Sequence, residues 1–329
     1  MKGTRFSLIL CFLFTLSVIP TLTGASTAIE VTCPQPQGCF MEIQKAIEAA
    51  PEGATIRIGP GTYYEKQLVL EKSLVLQGAG ASKTTIKAVD SGAALIVRGS
   101  GYPNLTSVTL QGLSIIAQGS SPVLSESGGI GLAVEGQRQG QGVLQVMVQG
   151  CWIYGYGGVG VRGLAKVTVQ QTFIRAVGSG VVVREQSEAD ISESQIKGGR
   201  DLLLLTGAGI GAVEGGKISL HRVSIFDWGL GLAAGEGSLI ALTESSIYSN
   251  GGDGALLIGD AIVELRKNKI ENNLGYGIEL ALPPCYPEDE IVRFRGTVRG
   301  SDNEIHDNTK GNLCPPDYPW PEGFVREEN

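Results

Sequence analysis

Tyr154, Arg175, Lys197, Phe226, Tyr248, Glu271 and His306 recur at intervals of 21, 22, 29, 22, 23 and 35 residues, each directly after an isoleucine. Aromatic rings beside guanidinium, ammonium and carboxylate groups are what a sugar polymer needs: ring faces for pyranose, and charge for uronate or hydroxyl groups. Tyr156, Asp227 and Trp228 fall close by in the sequence. The candidate substrate-binding residues are therefore Tyr154, Tyr156, Phe226, Trp228 and Tyr248. For a reaction on an acidic polysaccharide, Arg175 or Lys197 is the candidate base and Asp201 and Asp227 are candidate Ca2+ ligands. Removing a proton beside a carboxylate needs such a base and a cation to stabilise the enolate.

Other residues of chemical type read as structural. Gly155-Tyr-Gly-Gly-Val-Gly160 has the G-x-G-x-x-G spacing of a dinucleotide loop, but strand lies on both sides and no helix follows. Its glycines read as turn residues with positive φ. His221 stands beside Arg222 without a second imidazole near it, and reads as a surface histidine. Glu188, Asp190 and Glu193 read as a solvated strand face. No cofactor is expected apart from Ca2+.

The elements that position these residues announce themselves through the isoleucines. Ile153, Ile174, Ile196, Ile225, Ile247, Ile270 and Ile305 each close a similar phrase, such as Val167-Thr-Val-Gln-Gln-Thr-Phe-Ile174. Seven and five residues before the first six lie apolar pairs: Val146/Val148, Val167/Val169, Ala189/Ile191, Ile218/Leu220, Ile240/Leu242 and Val263/Leu265. That is period two, hence strand with those side chains inward. A turn and a second glycine-led strand follow, as in Gly158-Val-Gly-Val161 and Gly229-Leu-Gly-Leu232. A coil of about 22 residues cannot bury its own apolar side, whereas stacked coils can, with strands ~4.8 Å apart. The sequence therefore predicts an all-β solenoid, a right-handed parallel β-helix over 55–281. The long isoleucine spacings predict insertions around Gly207 to Gly216 and between Gln118 and Gly142.

Both coil ends need covers. Phe40, Ile43, Ala46, Ile47 and Ala50 share one helical face, so residues 26–54 read as an N-terminal cap with a short helix over 40–50. Residues 282–329 read as a last coil and a cap. Cys33 and Cys39 flank the repeat on one side and Cys285 and Cys314 on the other, spacings that predict a disulfide at each end. Lys2 and Arg5 precede an apolar run from Phe6 to Ile19 and small residues around Gly24, Ala25 and Ser26. Residues 1–25 thus read as a signal peptide, and the mature protein as secreted, periplasmic or on the cell surface, with no membrane span. The net charge is −7. No basic stripe breaks it, which argues against nucleic acid as a partner. Glycine, 48 of 329 residues, is about twice its usual ~7% share and fits a turn-rich β protein.

The segment from Phe40 to Glu65, with Ala54-Thr-Ile-Arg-Ile-Gly-Pro-Gly-Thr-Tyr-Tyr-Glu65, and the following Leu74-Val-Leu-Gln-Gly-Ala-Gly80 resemble the opening of pectin-lyase-like β-helix proteins. The same opening occurs in pectin methylesterases and NosD-type periplasmic proteins. The resemblance implies a right-handed parallel β-helix. It implies neither pectin methylesterase nor polygalacturonase activity, since the Asp-bearing and Gly-His-Gly segments of those enzymes are missing. A polysaccharide lyase, whose base and Ca2+-binding acids lie far apart in sequence, is the enzyme class left open. Copper chemistry of the NosD kind finds no Met or His cluster here. The leading expectation is a protein that binds, and can process, polysaccharide along its outward column. The competing one is a non-catalytic structural or protein-binding solenoid of the cell surface or periplasm.

Overall fold

The computed structural model describes residues 28–33, 39–40, 42–99, 105–118, 129–137, 142–199, 207–287 and 291–324. The expected signal segment and Asp201 lie outside them. Each coil contributes one strand to each of three parallel ladders. The first is an eleven-stranded sheet running from Ala28–Val31 through Thr55–Ile58 to Thr297–Ser301. The second climbs from Cys39–Phe40 and Gly61–Glu65 to Lys269–Glu271 and Glu304–His306. The third runs from Leu68–Leu70 to Gly311–Cys314. Strands Trp152–Arg162 and Phe173–Val183 are long enough to serve the second and third ladders without a break.

Alternation decides what is inside. Val146/Val148 through Val263/Leu265 and all seven isoleucines are buried, and the isoleucines pair coil upon coil in register. The glycines that lead the third ladder have a packing role. A side chain on Gly158 would strike the Gly180 carbonyl and the Ile174 Cγ2, and Gly180, Gly209, Gly231 and Gly254 repeat this against Ile196, Ile225, Ile247 and Ile270. Glycine column and isoleucine column interlock. Gly155 and Gly158 lie within a strand and have no positive φ, so close approach rather than turn geometry explains them.

Between the first and second ladders the chain turns on one left-handed residue per coil: Gln171, Glu193, Arg222, Glu244, Lys267 and Asp302, with φ between 48° and 59°. Such a conformation costs a non-glycine residue roughly 1–2 kcal/mol. Hydrogen bonds between successive corners offset it, for example Arg222 N to Thr243 O at 3.1 Å and Glu244 N to Arg266 O at 3.1 Å. The next residue points inward and forms a polar ladder. Thr172 Oγ1 accepts from Cys151 N, Ser194 Oγ from Thr172 N, Ser245 Oγ from Val223 N, Asn268 Oδ1 from Ser245 N and Asn303 Oδ1 from Asn268 N, at 3.0–3.3 Å. A second ladder of Asn250, Asn273 and Asn308 lines the corner before the third sheet. Buried amides that satisfy one another in this way specify register.

The ends are closed. The helix is Glu42–Ala49, shorter than the predicted 40–50 because Phe40 joins a strand opposite Tyr64. It buries Ile43 and Ile47, and the buried Glu65 carboxylate accepts from Ile43 N at 2.8 Å, capping its first turn. Burial pushes the Glu65 carboxyl pKa up while these amide bonds pull it down. At the other end Phe294, Tyr318, Trp320 and Phe324 form a contiguous aromatic plug. Cys285 and Cys314 are disulfide-bonded, with Cα atoms 6.0 Å apart. Cys33 is also in a disulfide, while the Cys39 side chain lies outside the described residues. Cys151 is a buried free thiol, its pKa pushed to about 11 by burial. The expected insertions are displaced. Ala208–Ala212 and Ile130–Glu135 are third-ladder strands paired on both sides, so the extra residues flank them instead of containing them. No described helix is long and apolar enough to cross a membrane.

Candidate functional site on the outward ladder of the second sheet

Because each isoleucine points inward, the residue after it points outward, and stacking brings these residues into one column. Tyr154 lies opposite Arg175, Arg175 opposite Lys197, Lys197 opposite Phe226, Phe226 opposite Tyr248, Tyr248 opposite Glu271, and Glu271 opposite His306. The column continues upward through Ile116, Lys87 and Tyr64. Arg175 is exposed and joins no ion pair among the described residues.

The aromatic members meet each other first. Phe226 and Tyr248 stack with ring centroids 5.1 Å apart and planes within 6°, and Lys197 Nζ sits 5.4 Å from the Phe226 centroid. Ring faces thus point along the coil axis, toward neighbours in the column. A ligand approaching from outside meets ring edges and the Tyr248 hydroxyl. Burial, with the Asp227 charge as a smaller contribution, raises the pKa of that hydroxyl. Tyr154 contacts Phe173 edge-on at 6.1 Å. The half-buried Tyr156 has its ring beside Gly178. Trp228 departs from expectation. It is 2% exposed, its indole N–H donates to the Ile196 carbonyl at 3.1 Å, and it lies inside the corner where later coils place asparagines. It is a core residue, because Gly180 and Gly209 leave the room its indole fills.

The candidate base and metal ligand are partners. Lys197 Nζ is 3.7 Å from Asp227 Oδ2, and the Asp227 side chain is only 9% exposed. The Lys197 ammonium is thus held in place between this carboxylate and the Phe226 ring. Glu188 and Asp190 are not merely solvated, since Lys166 and Lys217 pair with them at 2.6–3.9 Å across neighbouring coils of the first sheet. His221 stands in that sheet opposite Ser192 and Thr243, as a surface residue.

A cluster that sequence reasoning missed lies on the third sheet. Asp253 and Glu279 are 8% and 5% exposed, and their carboxyls share a hydrogen bond. Burial and the Asp253 carboxylate push the Glu279 pKa up to about 8, with Lys310 opposing. Asp253 Oδ1 also accepts from Tyr276 N at 2.7 Å, and Lys310 Nζ lies 5.7 Å from the Tyr276 ring. Glu279 occupies an outward position between two inward residues, so its sequence context signals exposure.

Residues 130–283 match the family model for a right handed beta helix region. No curated protein matches the chain in sequence. Among solved structures it is similar to the A-module of mannuronan C-5 epimerase AlgE4 from Azotobacter vinelandii, with TM-score 0.62 and 19% identity over 82% of this chain and 74% of that one. It is also similar to tailspike protein 2 of bacteriophage CBA120, with TM-score 0.58 and 12% identity over 90% and 47%. The PL6 family alginate lyase AlyGC gives TM-score 0.57 and 12% identity over 88% and 40%. Strand pairing and these matches together establish a right-handed parallel β-helix fold.

Proposed function

We propose that the protein binds an acidic polysaccharide along the outward ladder of the second sheet. The observation that carries this reading is the juxtaposition of Arg175 and Lys197 in successive coils, between Tyr154 on one side and Phe226 and Tyr248 on the other. Successive cations one ladder step apart, ~4.8 Å, suit carboxylates repeated along an extended polymer. Arg175 supplies a planar fork for a carboxylate, Lys197 a point charge steadied by Asp227, and the tyrosines hydroxyl donors. Two of the structurally similar proteins bear names tied to uronate polymers, mannuronan and alginate, which supports the ligand class. Ca2+ would enter as a bridge between Asp227 and a uronate. Export to an oxidising compartment, where such polymers occur, is supported by the Cys285–Cys314 disulfide.

The competing solenoid reading, a protein-binding or structural module, draws on the third sheet. There Ala133, Gly160, Val182, Gly211, Ala233 and Leu256 form an outward strip of small and apolar residues. The deciding experiment measures binding of the full chain to polyuronates and to neutral glucans, with and without Ca2+. The expected result is polyuronate binding that weakens with salt and drops about a hundredfold or more in Arg175→Ala/Lys197→Ala, as two lost charge-assisted bonds of about 1.5–3 kcal/mol each require. Equal binding of neutral glucans, or no effect of the double substitution, would refute the acidic ladder site.

A further inference from the structure

We propose that Glu271, His306 and Asp307 form a binding site for a zinc-class divalent ion at the C-terminal end of the same ladder. Strands Lys269–Glu271 and Glu304–His306 pair in register with Glu271 opposite His306. The two side chains therefore leave rigid backbone one ladder step apart, in an arrangement that the sheet and not a loop determines. His306 Nε2 lies 3.8 Å from Glu271 Oε2. The other Glu271 oxygen, Oε1, is engaged by Lys269 Nζ at 2.9 Å, so Oε2 is the one directed at the imidazole. Asp307, held at φ 54°, brings Oδ2 to 2.9 Å from His306 Nδ1.

One ligand atom from each residue can be chosen so that all three lie within 4.8 Å of one another. Around an ion with bonds of about 2.0–2.2 Å, ligand atoms stand roughly 3–3.5 Å apart. Glu271 faces Nε2 and Asp307 faces Nδ1 on the other side of the ring, so for an ion held by Nε2 and Glu271 Oε2 the Asp307 carboxylate must swing round from Nδ1. The side chain able to supply that movement is Asp307, 73% exposed, while His306 and Glu271 are each 22% exposed and held by the sheet. One imidazole nitrogen and two carboxylate oxygens suit Zn2+, whose borderline character takes both donor types, and suit Ca2+ poorly because it takes oxygen alone. Three protein donors leave a coordination position open to an outside ligand. The site does not depend on the polysaccharide reading and is tested with the metal alone.

The experiment is a calorimetric titration of chelator-treated full chain with Zn2+, with Ca2+ as comparison. The expected result is one saturable Zn2+ site, unaffected by excess Ca2+. His306→Ala and Glu271→Gln should each weaken it roughly 10- to 100-fold or more, with melting midpoints near that of the parent chain in metal-free buffer. His221→Ala removes the only other histidine and should leave binding unchanged. Absence of a saturable site, or parent-like affinity in both His306→Ala and Glu271→Gln, would overturn the assignment. So would loss of binding in His221→Ala alone.

Discussion

Arg175 and Glu279 illustrate how differently two outward-facing charged residues behave. Arg175 stands in solvent and remains available to a ligand. Glu279, a third-sheet residue of the same outward parity, is covered and must share its environment with Asp253. Its carboxyl pKa is raised from 4.5 to about 8, so the folded state favours the protonated form. Stability from this group is fully present below pH 4.5 and declines as pH rises through about 8. The decline is on the order of a few kcal/mol. Glu279→Gln keeps the hydrogen-bonding shape without the titration. Its melting temperature should therefore exceed the parent's at pH 8 to 9 and match it near pH 4, by thermal scans across that range. A parent-like pH profile in the variant would remove Glu279 as the source.

At the scale of the strand and corner, the interlock of glycine with isoleucine explains why the repeat is so regular. Gly231 has the Ile247 Cγ2 and the Gly254 carbonyl where a methyl group would go. Neither can move without shifting a coil that is bonded on both sides. Gly231→Ala should therefore destabilise the fold by about 1–3 kcal/mol or more, although alanine costs less chain entropy than glycine. Urea titration would reveal this as a lower midpoint, and an unchanged midpoint would mean that the ladder yields. The corners carry no turn signature in their residue types. Their left-handed positions are filled by Gln, Glu, Arg and Lys in place of Gly or Asn, because the corner-to-corner hydrogen bonds between coils, and not local preference, maintain them.

For the molecule as a whole, each coil contacts only its neighbours, so stability is a sum of nearest-neighbour terms and the ends are the weak points. The helix capped by Glu65 secures one end, and the aromatic plug and the Cys285–Cys314 bond secure the other. That bond closes a separation of 29 residues, for which the chain-entropy model gives about 3–4 kcal/mol. Cys285→Ser/Cys314→Ser should speed amide exchange first in strands Thr297–Ser301 and Glu304–His306, while the strands before Ile174 and Ile196 stay protected. Uniform loss of protection along the coil would show that the solenoid unfolds as one unit.

The isoleucine period and the apolar pairs before it determined the solenoid, its inward set and the outward column, since strand alternation leaves a side chain only two faces. From Tyr154 to His306 the column is therefore legible in the sequence. Tertiary structure alone decided which members of it are free. Trp228 turned inward because glycines one and two coils away make space for it, and Phe226 closed its face against Tyr248. Asp227 was claimed by Lys197, and Asp253 and Glu279 came together from different coils. Contacts between coils depend on stacking distance and on insertions of variable length. Neither is written in the residues that make the contact, whereas the direction of each side chain follows from its own strand.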